Sequence, residues 1–298
     1  MILRILAVLF LAQLALVAYL YWPESPATIS RDTLVARLSP GAVNRVEVST
    51  QEGATVVLLR NQNQWSLDRG LPADNDKMRS LLNALLTADP GFPIADSDTA
   101  AKRFQVSDVG FVRKIVLSGD DGDATVYLGS TPAMRKIHAR AEGESAVFVL
   151  PLSSFDAPAD IDSWLDTRLL AVQNVTEFAL YGVTFTLTDG QWSRSDGTDV
   201  EQESAAAFAA ALGGMAISGL VDPADDDAGA ADEALRVTLN DDGEIRQLAV
   251  LRNPESDRYY FDSERFDSIF STSAYDAERL IDAATSLLAT EAKEATED

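Results

Sequence analysis

Four core-type positions recur along this chain at one fixed spacing. Trp65 returns 127 residues later as Trp192, and Leu81, Leu82 and Leu85 return as Phe208, Ala209 and Leu212. A constant offset across several positions marks a duplicated unit, and it restricts the fold to something that can be built twice. Each copy has the same order of signals. In the first, Val43 to Ser49 alternates as VNRVEVS, Ala54 to Arg60 is β-branched and apolar, and Trp65-Ser66-Leu67 makes a short third strand. Met78, Leu81, Leu82, Leu85 and Leu86 then fall on one helical face, behind an acidic start at Pro72, Asp74 and Asp76. In the second, Val172 to Leu180, Val183 to Leu187 and Trp192 precede a helix with Phe208, Ala209 and Leu212 on its apolar side.

Between these stretches lie a short helix around Thr99 to Phe104 and two hairpins. Val112 to Leu117 and Ala124 to Leu128 flank Gly119-Asp120-Asp121-Gly122-Asp123, and Ile137 to Ala141 and Ala146 to Leu150 flank Gly143. A second set of matches closes each copy. Phe155-Asp156, Trp164, Arg168 and Leu169 recur as Phe266-Asp267, Tyr275, Arg279 and Leu280, now at a separation of 111, so the second copy is about one hairpin shorter. The repeated Trp, Phe and Leu positions are expected in the core, and the strand edges of such sheets are expected to be open to a partner strand.

The N-terminus adds a different element. Ile5 to Trp22 carries no charge, follows Arg4, and ends in Tyr19, Tyr21 and Trp22 before Pro23. Eighteen helical residues rise about 27 Å, close to the apolar thickness of a bilayer. This predicts a single-pass anchor with its N-terminus cytoplasmic and the rest outside. A cleaved signal peptide is the rival, with Ser25-Pro26-Ala27 as a weak cleavage site.

The expected architecture is therefore α+β: an N-terminal transmembrane helix, then a duplicated unit of mainly antiparallel sheet with helices packed on one face. Residues 1–23 form the anchor. Residues 24–41 form a linker and a short helix, Arg31 to Leu38. Residues 42–171 and 172–290 form the two copies, the latter closing with a helix from Tyr275 to Thr290. Residues 291–298 form a disordered polar tail.

Composition narrows the chemistry. With 24 Lys+Arg against 47 Asp+Glu the formal charge is −23, which disfavours nucleic acid as a partner. The absence of cysteine excludes thiol nucleophiles and thiolate metal sites, and one histidine, His138, excludes multi-histidine sites. His138 lies in the alternating segment KIHARA and is expected on the polar face of a strand. There is no G-x-S-x-G, S-x-x-K or phosphate-binding glycine motif. The acidic loop Asp222 to Glu233 places Asp222, Asp226 and Glu233 at EF-hand-like positions, but Ala224 and Asp227 stand where a ligand and a glycine are needed. No catalytic, cofactor-binding or metal residue is assigned, no cofactor is expected, and the protein is read as a non-enzyme.

The motifs Trp65-Ser66-Leu67, Pro72-Ala73-Asp74 and Leu81 to Leu86 resemble the domain of unknown function 4340 family. So do Tyr127-Leu128-Gly129, Val147-Phe148-Val149-Leu150, Trp164-Leu165-Asp166 and Arg168-Leu169-Leu170. The resemblance covers roughly residues 43–175, and the second copy only loosely. Phe104-Gln105 departs from it, standing where that family tends to place a glycine. The resemblance implies a bacterial envelope protein, with relatives often encoded beside ABC-transporter components of the gliding-motility type, and it carries over no catalytic residues. The resulting expectation is an inner-membrane-anchored, periplasmic accessory protein of an ABC-type transporter or envelope complex. Two alternatives stand beside it: a periplasmic binding module for a small or cationic ligand such as Ca²⁺, and a carbohydrate-active enzyme.

Overall fold

The alternation in VNRVEVS makes the first strand. β1 (Val43–Ser49) buries Val43, Val46 and Val48 and leaves the residues between them less covered. The structure, a computed structural model, describes residues 38–67, 70–241 and 244–294, with Gln13, Leu34 and Val35 before them. The expected anchor and the Pro/Ser linker therefore lie outside the described residues. So does most of the short helix expected over Arg31 to Leu38, of which Leu34 and Val35 are buried bends. Among the described residues no helix is long and apolar enough to cross a membrane.

The first sheet continues with β2 (Thr55–Asn61) and β3 (Gln64–Ser66), followed by the helix Asn75–Leu86. The helix Asp98–Arg103 leads into a small hairpin, β4 (Val106–Ser107) and β5 (Gly110–Phe111). Then come β6 (Arg113–Gly119), β7 (Gly122–Leu128), β8 (Ile137–Ala141) and β9 (Phe148–Leu150). Their order is β3-β2-β1-β6-β7-β8-β9, and all neighbours are antiparallel.

The second sheet has the same plan. β10 (Glu177–Leu180), β11 (Val183–Thr188) and β12 (Gln191–Arg194) form a meander and the helix Gln202–Gly213 follows. After β13 (Gly219–Leu220) and the short helix Asp226–Gly229, β14 (Asp232–Asp241) returns beside β10. β15 (Glu244–Asn253), β16 (Arg258–Ser263) and β17 (Ser268–Thr272) extend the sheet, giving the order β12-β11-β10-β14-β15-β16-β17-β13. The helix Ala274–Glu294 ends the described chain, reaching four residues into the segment expected as a disordered tail. The protein is thus mostly antiparallel sheet with a few helices, an α+β arrangement. Apolar side chains of both sheets and their helices join in one core running from Leu34 to Leu287.

The two meanders close onto their helices by the same hydrogen bonds. Asp74 caps the first helix, accepting from the Asp76 and Lys77 N–H groups, and Glu201 caps the second, accepting from Ser204. One residue on, Asn75 accepts the Trp65 N–H at 2.9 Å and Gln202 accepts the Trp192 N–H at 2.7 Å. Gln202 also donates to the Trp192 carbonyl at 2.9 Å, while the Trp65 carbonyl takes the Ala73 N–H at 3.0 Å. These bonds occupy the outward backbone groups of both edge strands, and Asp162 does the same for the Leu220 N–H of β13 at 2.8 Å. At these positions the edges are closed to strand addition, contrary to expectation.

Four further expectations are corrected. Helices do not all pack on one face. The helix Asp98–Arg103 and the β4–β5 hairpin cover the opposite face of the first sheet, where Ala101, Val106, Tyr127 and Val147 form a second small cluster. Val126 to Leu128 of β7 and Ile137 to Arg140 of β8 are consequently buried on both faces. The matches at a separation of 111 mark core positions only in part: Leu169 and Leu280 are both buried and Trp164 is fully buried in a short turn, but Phe155 and Tyr275 are 86% and 71% exposed. Ala209 is only half-buried, the second helix turning Ala205, Phe208, Ala211 and Leu212 inward instead. The strand expected from Val172 begins only at Glu177. The glycine departure at Phe104-Gln105 has a local explanation. Gln105 adopts φ of +57°, the left-handed conformation that favours glycine. Gly129 lies so close beneath that a Cβ there would stand 2.0 Å from the Phe104 carbonyl oxygen.

The edge clamp yields a prediction. Gln202→Ala removes two hydrogen bonds to the Trp192 backbone and should lower stability by about 1–3 kcal/mol. Gln202→Glu keeps the acceptor and loses the donor, so its urea midpoint should fall between those of the parent and the alanine variant. An unchanged midpoint for Gln202→Ala would remove the clamp from the account.

Candidate functional site

The single histidine is the first group to place. β8 buries Ile137, His138, Ala139 and Arg140 in succession. Ile137 and Ala139 enter the main core, and His138 and Arg140 lie beneath the Asp98–Arg103 helix and its hairpin. His138 is therefore covered and not on a polar face, because a second layer sits where solvent was expected. Its Nδ1 is 3.0 Å from the Ser130 hydroxyl, and its ring packs on Phe104 with centroids 4.3 Å apart. Ser130 also reaches the Phe104 carbonyl at 3.2 Å. No carboxylate hydrogen-bonds the imidazole among the described residues, so this pair lacks the third group that makes a serine–histidine pair nucleophilic.

Arg140 fastens the covering layer. Its guanidinium donates to the Val106 carbonyl at 2.7 Å, to the Glu144 carbonyl at 2.9 Å and to Asp108. It also stacks over Tyr127, whose hydroxyl donates to Glu142 at 2.9 Å. Burial, reinforced by the Glu142 hydrogen bond and charge, pushes the Tyr127 hydroxyl up to about 12. A buried guanidinium needs such a full set of partners, and here the set ties strand, hairpin and loop together. The cluster is structural.

The acidic loop resolves into caps and ion pairs. Asp222 accepts the Ala224 N–H at 2.9 Å, and Asp225 caps the short helix by accepting the Asp227 N–H at 2.9 Å. Asp227 pairs with Arg258 at 2.9 Å, and Glu233, already in β14, pairs with Arg236. Asp222, Asp226 and Glu233 thus lie on a turn, a helix and a strand. Among the described residues no group of three such side chains is placed to hold a metal ion.

The loop nevertheless walls a cleft of about 450 Å³ over the outer face of the second sheet. Asp222, Asp225, Asp257, Arg258 and Tyr260 line it. Asp257 is engaged by Arg252 at 2.7 Å. Tyr260 is 2% exposed, and its hydroxyl has no hydrogen-bond partner among the described residues. Chemically this cleft presents carboxylate oxygens, the Arg258 guanidinium and two phenols, of which Tyr259 donates to Glu278, a set suited to holding a polar group. A second cleft, of about 240 Å³, lies between the β2–β3 hairpin and the helix Asn75–Leu86, with Arg60, Arg79 and three asparagines in its wall. The sequence reading singled out neither Tyr260 nor these arginines. For the arginines a signal was present, because the 127-residue offset sets Arg79 against Ala206.

Sequence comparison adds one finding. The family described as Domain of unknown function (DUF4340) matches residues 65–234, more than half of the 298-residue chain. The match starts at the edge tryptophan of the first sheet and runs into β14 of the second, well beyond the span of the resemblance noted from the motifs. No curated protein and no solved structure matches the chain.

The buried histidine gives a pH prediction. Burial, and next the Arg103 charge, hold the His138 pKa below its ordinary value, against an opposing hydrogen bond with Ser130. The folded state thus favours the neutral ring. The associated stability is complete above about pH 6.5 and falls away as the pH drops below that value. Thermal melts between about pH 7.5 and pH 5 should show this loss, and His138→Gln should flatten it. Parallel profiles for parent and variant would assign the pH dependence to other groups.

Proposed function

The chain belongs to the DUF4340 family, and from that premise we propose that it is a membrane-tethered, extracytoplasmic interaction protein serving an ABC-type transporter or envelope complex. The observation that carries this reading is the uncharged run Ile5 to Trp22, with Arg4 before it and an aromatic cluster at its far end. A tether holds its cargo in two dimensions and raises the effective concentration at a membrane partner without demanding high intrinsic affinity. The folded part suits such a role. It is two antiparallel sheets of like topology, which we attribute to duplication of one unit, and many of its polar side chains serve caps, clamps and ion pairs.

A second reading rests on one observation, the unpartnered Tyr260 hydroxyl in the cleft with Asp222, Asp225 and Asp257. It makes the protein a binding module for a small or cationic ligand. Calorimetry with Ca²⁺ and with small amines tests it, and the absence of heat would remove it.

The lack of cysteine makes topology directly measurable. In spheroplasts, Met134→Cys, at a site 90% exposed, should react with a membrane-impermeant maleimide. Ile2→Cys should react only after lysis. The opposite pattern would overturn the topology. With the topology established, affinity purification from solubilised membranes should recover transporter subunits, and recovery of the chain alone would reject the partner.

A further inference from the structure

We propose that the cleft between the β2–β3 hairpin and the helix Asn75–Leu86 binds a phosphate-class anion. The proposal stands on the cleft itself and does not depend on the tether.

Among the described residues, every charged side chain in the lining of this cleft is an arginine: Arg60 from β2 and Arg79 from the helix. Asn63, Asn75 and Asn83 add carboxamides, and Trp65 contributes the floor. The chain as a whole has 47 acidic and 24 basic residues, so a pocket with two guanidinium groups and no carboxylate runs against the composition.

The Arg60 cation is fixed in place. It donates to the carbonyls of Pro40, at 3.2 Å, and Gly41, and it lies 5.5 Å over the Trp65 ring. A guanidinium has five N–H donors, so these two bonds leave others for a ligand. Among the described residues Arg79 is tied only to Asp76, by an i,i+3 pair at 2.7 Å whose two side chains are 67% and 83% exposed. Such an exposed pair contributes little and gives way readily to a better anion. Paired guanidinium groups match phosphate oxygens in both charge and fork geometry.

The second sheet is an internal control for whether the fold itself needs these residues. The shared framework is kept at the 127-residue offset: Asp74 and Glu201 cap, Asn75 and Gln202 clamp, Trp65 and Trp192 are clamped. Yet Arg60, Asn63, Arg79 and Asn83 correspond to Leu187, Gly190, Ala206 and Ala210. The same helix packs on the same meander with none of the polar set. Arg60 has a packing role against Pro40, Gly41 and Trp65, but packing and capping do not account for Arg79, Asn63 and Asn83 at these places, whereas an anion does.

A lipid phosphodiester and a free phosphate share this chemistry. The test uses the full chain in an uncharged detergent. Inorganic phosphate is titrated in one arm, and micelles doped with phosphatidylglycerol or with phosphatidylcholine in the others. Saturable binding is expected in the phosphate arm, the phosphatidylglycerol arm or both, and the arm that responds identifies the source. Arg79→Ala, which installs the residue of the equivalent position, should weaken binding by about tenfold or more. Lys136→Ala, an equal loss of charge at an exposed site that lines neither cleft, should leave it unchanged. No saturable binding in the phosphate and phosphatidylglycerol arms, an Arg79→Ala variant that binds like the parent, or equal losses in the two variants would overturn the proposal.

Discussion

A carboxamide on the first turn of a helix, holding the backbone of a tryptophan on an edge strand, is the contact on which each half of this protein depends. A three-stranded meander on its own has a bare edge and one apolar face. The clamp settles both needs together. It saturates the outward N–H of the edge strand, and it sets the helix at the one distance from which Leu81, Leu82 and Leu85, or Phe208 and Leu212, reach the strand side chains. Phe178 then packs against Phe185, Trp192 and Phe208, with ring centroids about 5 Å apart. The remaining strands can add only on the far side of β1 and β10, which is where β6 and β14 pair.

What lies on the outer faces differs between the sheets. The first carries the Asp98–Arg103 helix and its hairpin, fastened by Arg140 and sealed around His138 and Tyr127. The second carries the turn at Asp222 and the short helix Asp226–Gly229, which leave a cleft beside Tyr260. The groups with chemical capacity accordingly sit where the two sheets diverge: the arginine-lined cleft of the first and the carboxylate-lined cleft of the second.

Much of the fold was legible because its signals are local. Asp74 is a cap by residue type and position, and it does cap. The Asp120-Asp121 turn joins β6 to β7 as its composition requires. His138 was misread for a definite reason. Alternation in KIHARA identifies a strand and its two faces, but not a second layer arriving from residues 98–111 to cover the outer one. Phe155 and Tyr275 misled in the same way: an aromatic residue in a matched motif suggests burial, and burial depends on neighbours that the motif does not contain. The arginine cleft needed a comparison of one copy with the other, in which the informative positions are those that fail to repeat.

The sequence alone determined the period of each element, the caps and turns between them, the spacing of the two tryptophans, the acidic surface and the uncharged N-terminal run. All of these depend on residues within a few positions of one another or on simple counts. Only the tertiary structure decided which strand edges are closed, which face of β8 is covered and where two arginines share a wall. Those features rest on pairs far apart in the chain, such as Asp162 with Leu220, 58 residues on, and Arg140 with Asp108, 32 residues back. Such distant partners are brought together by burial of a shared core, which gives no periodic trace in the chain.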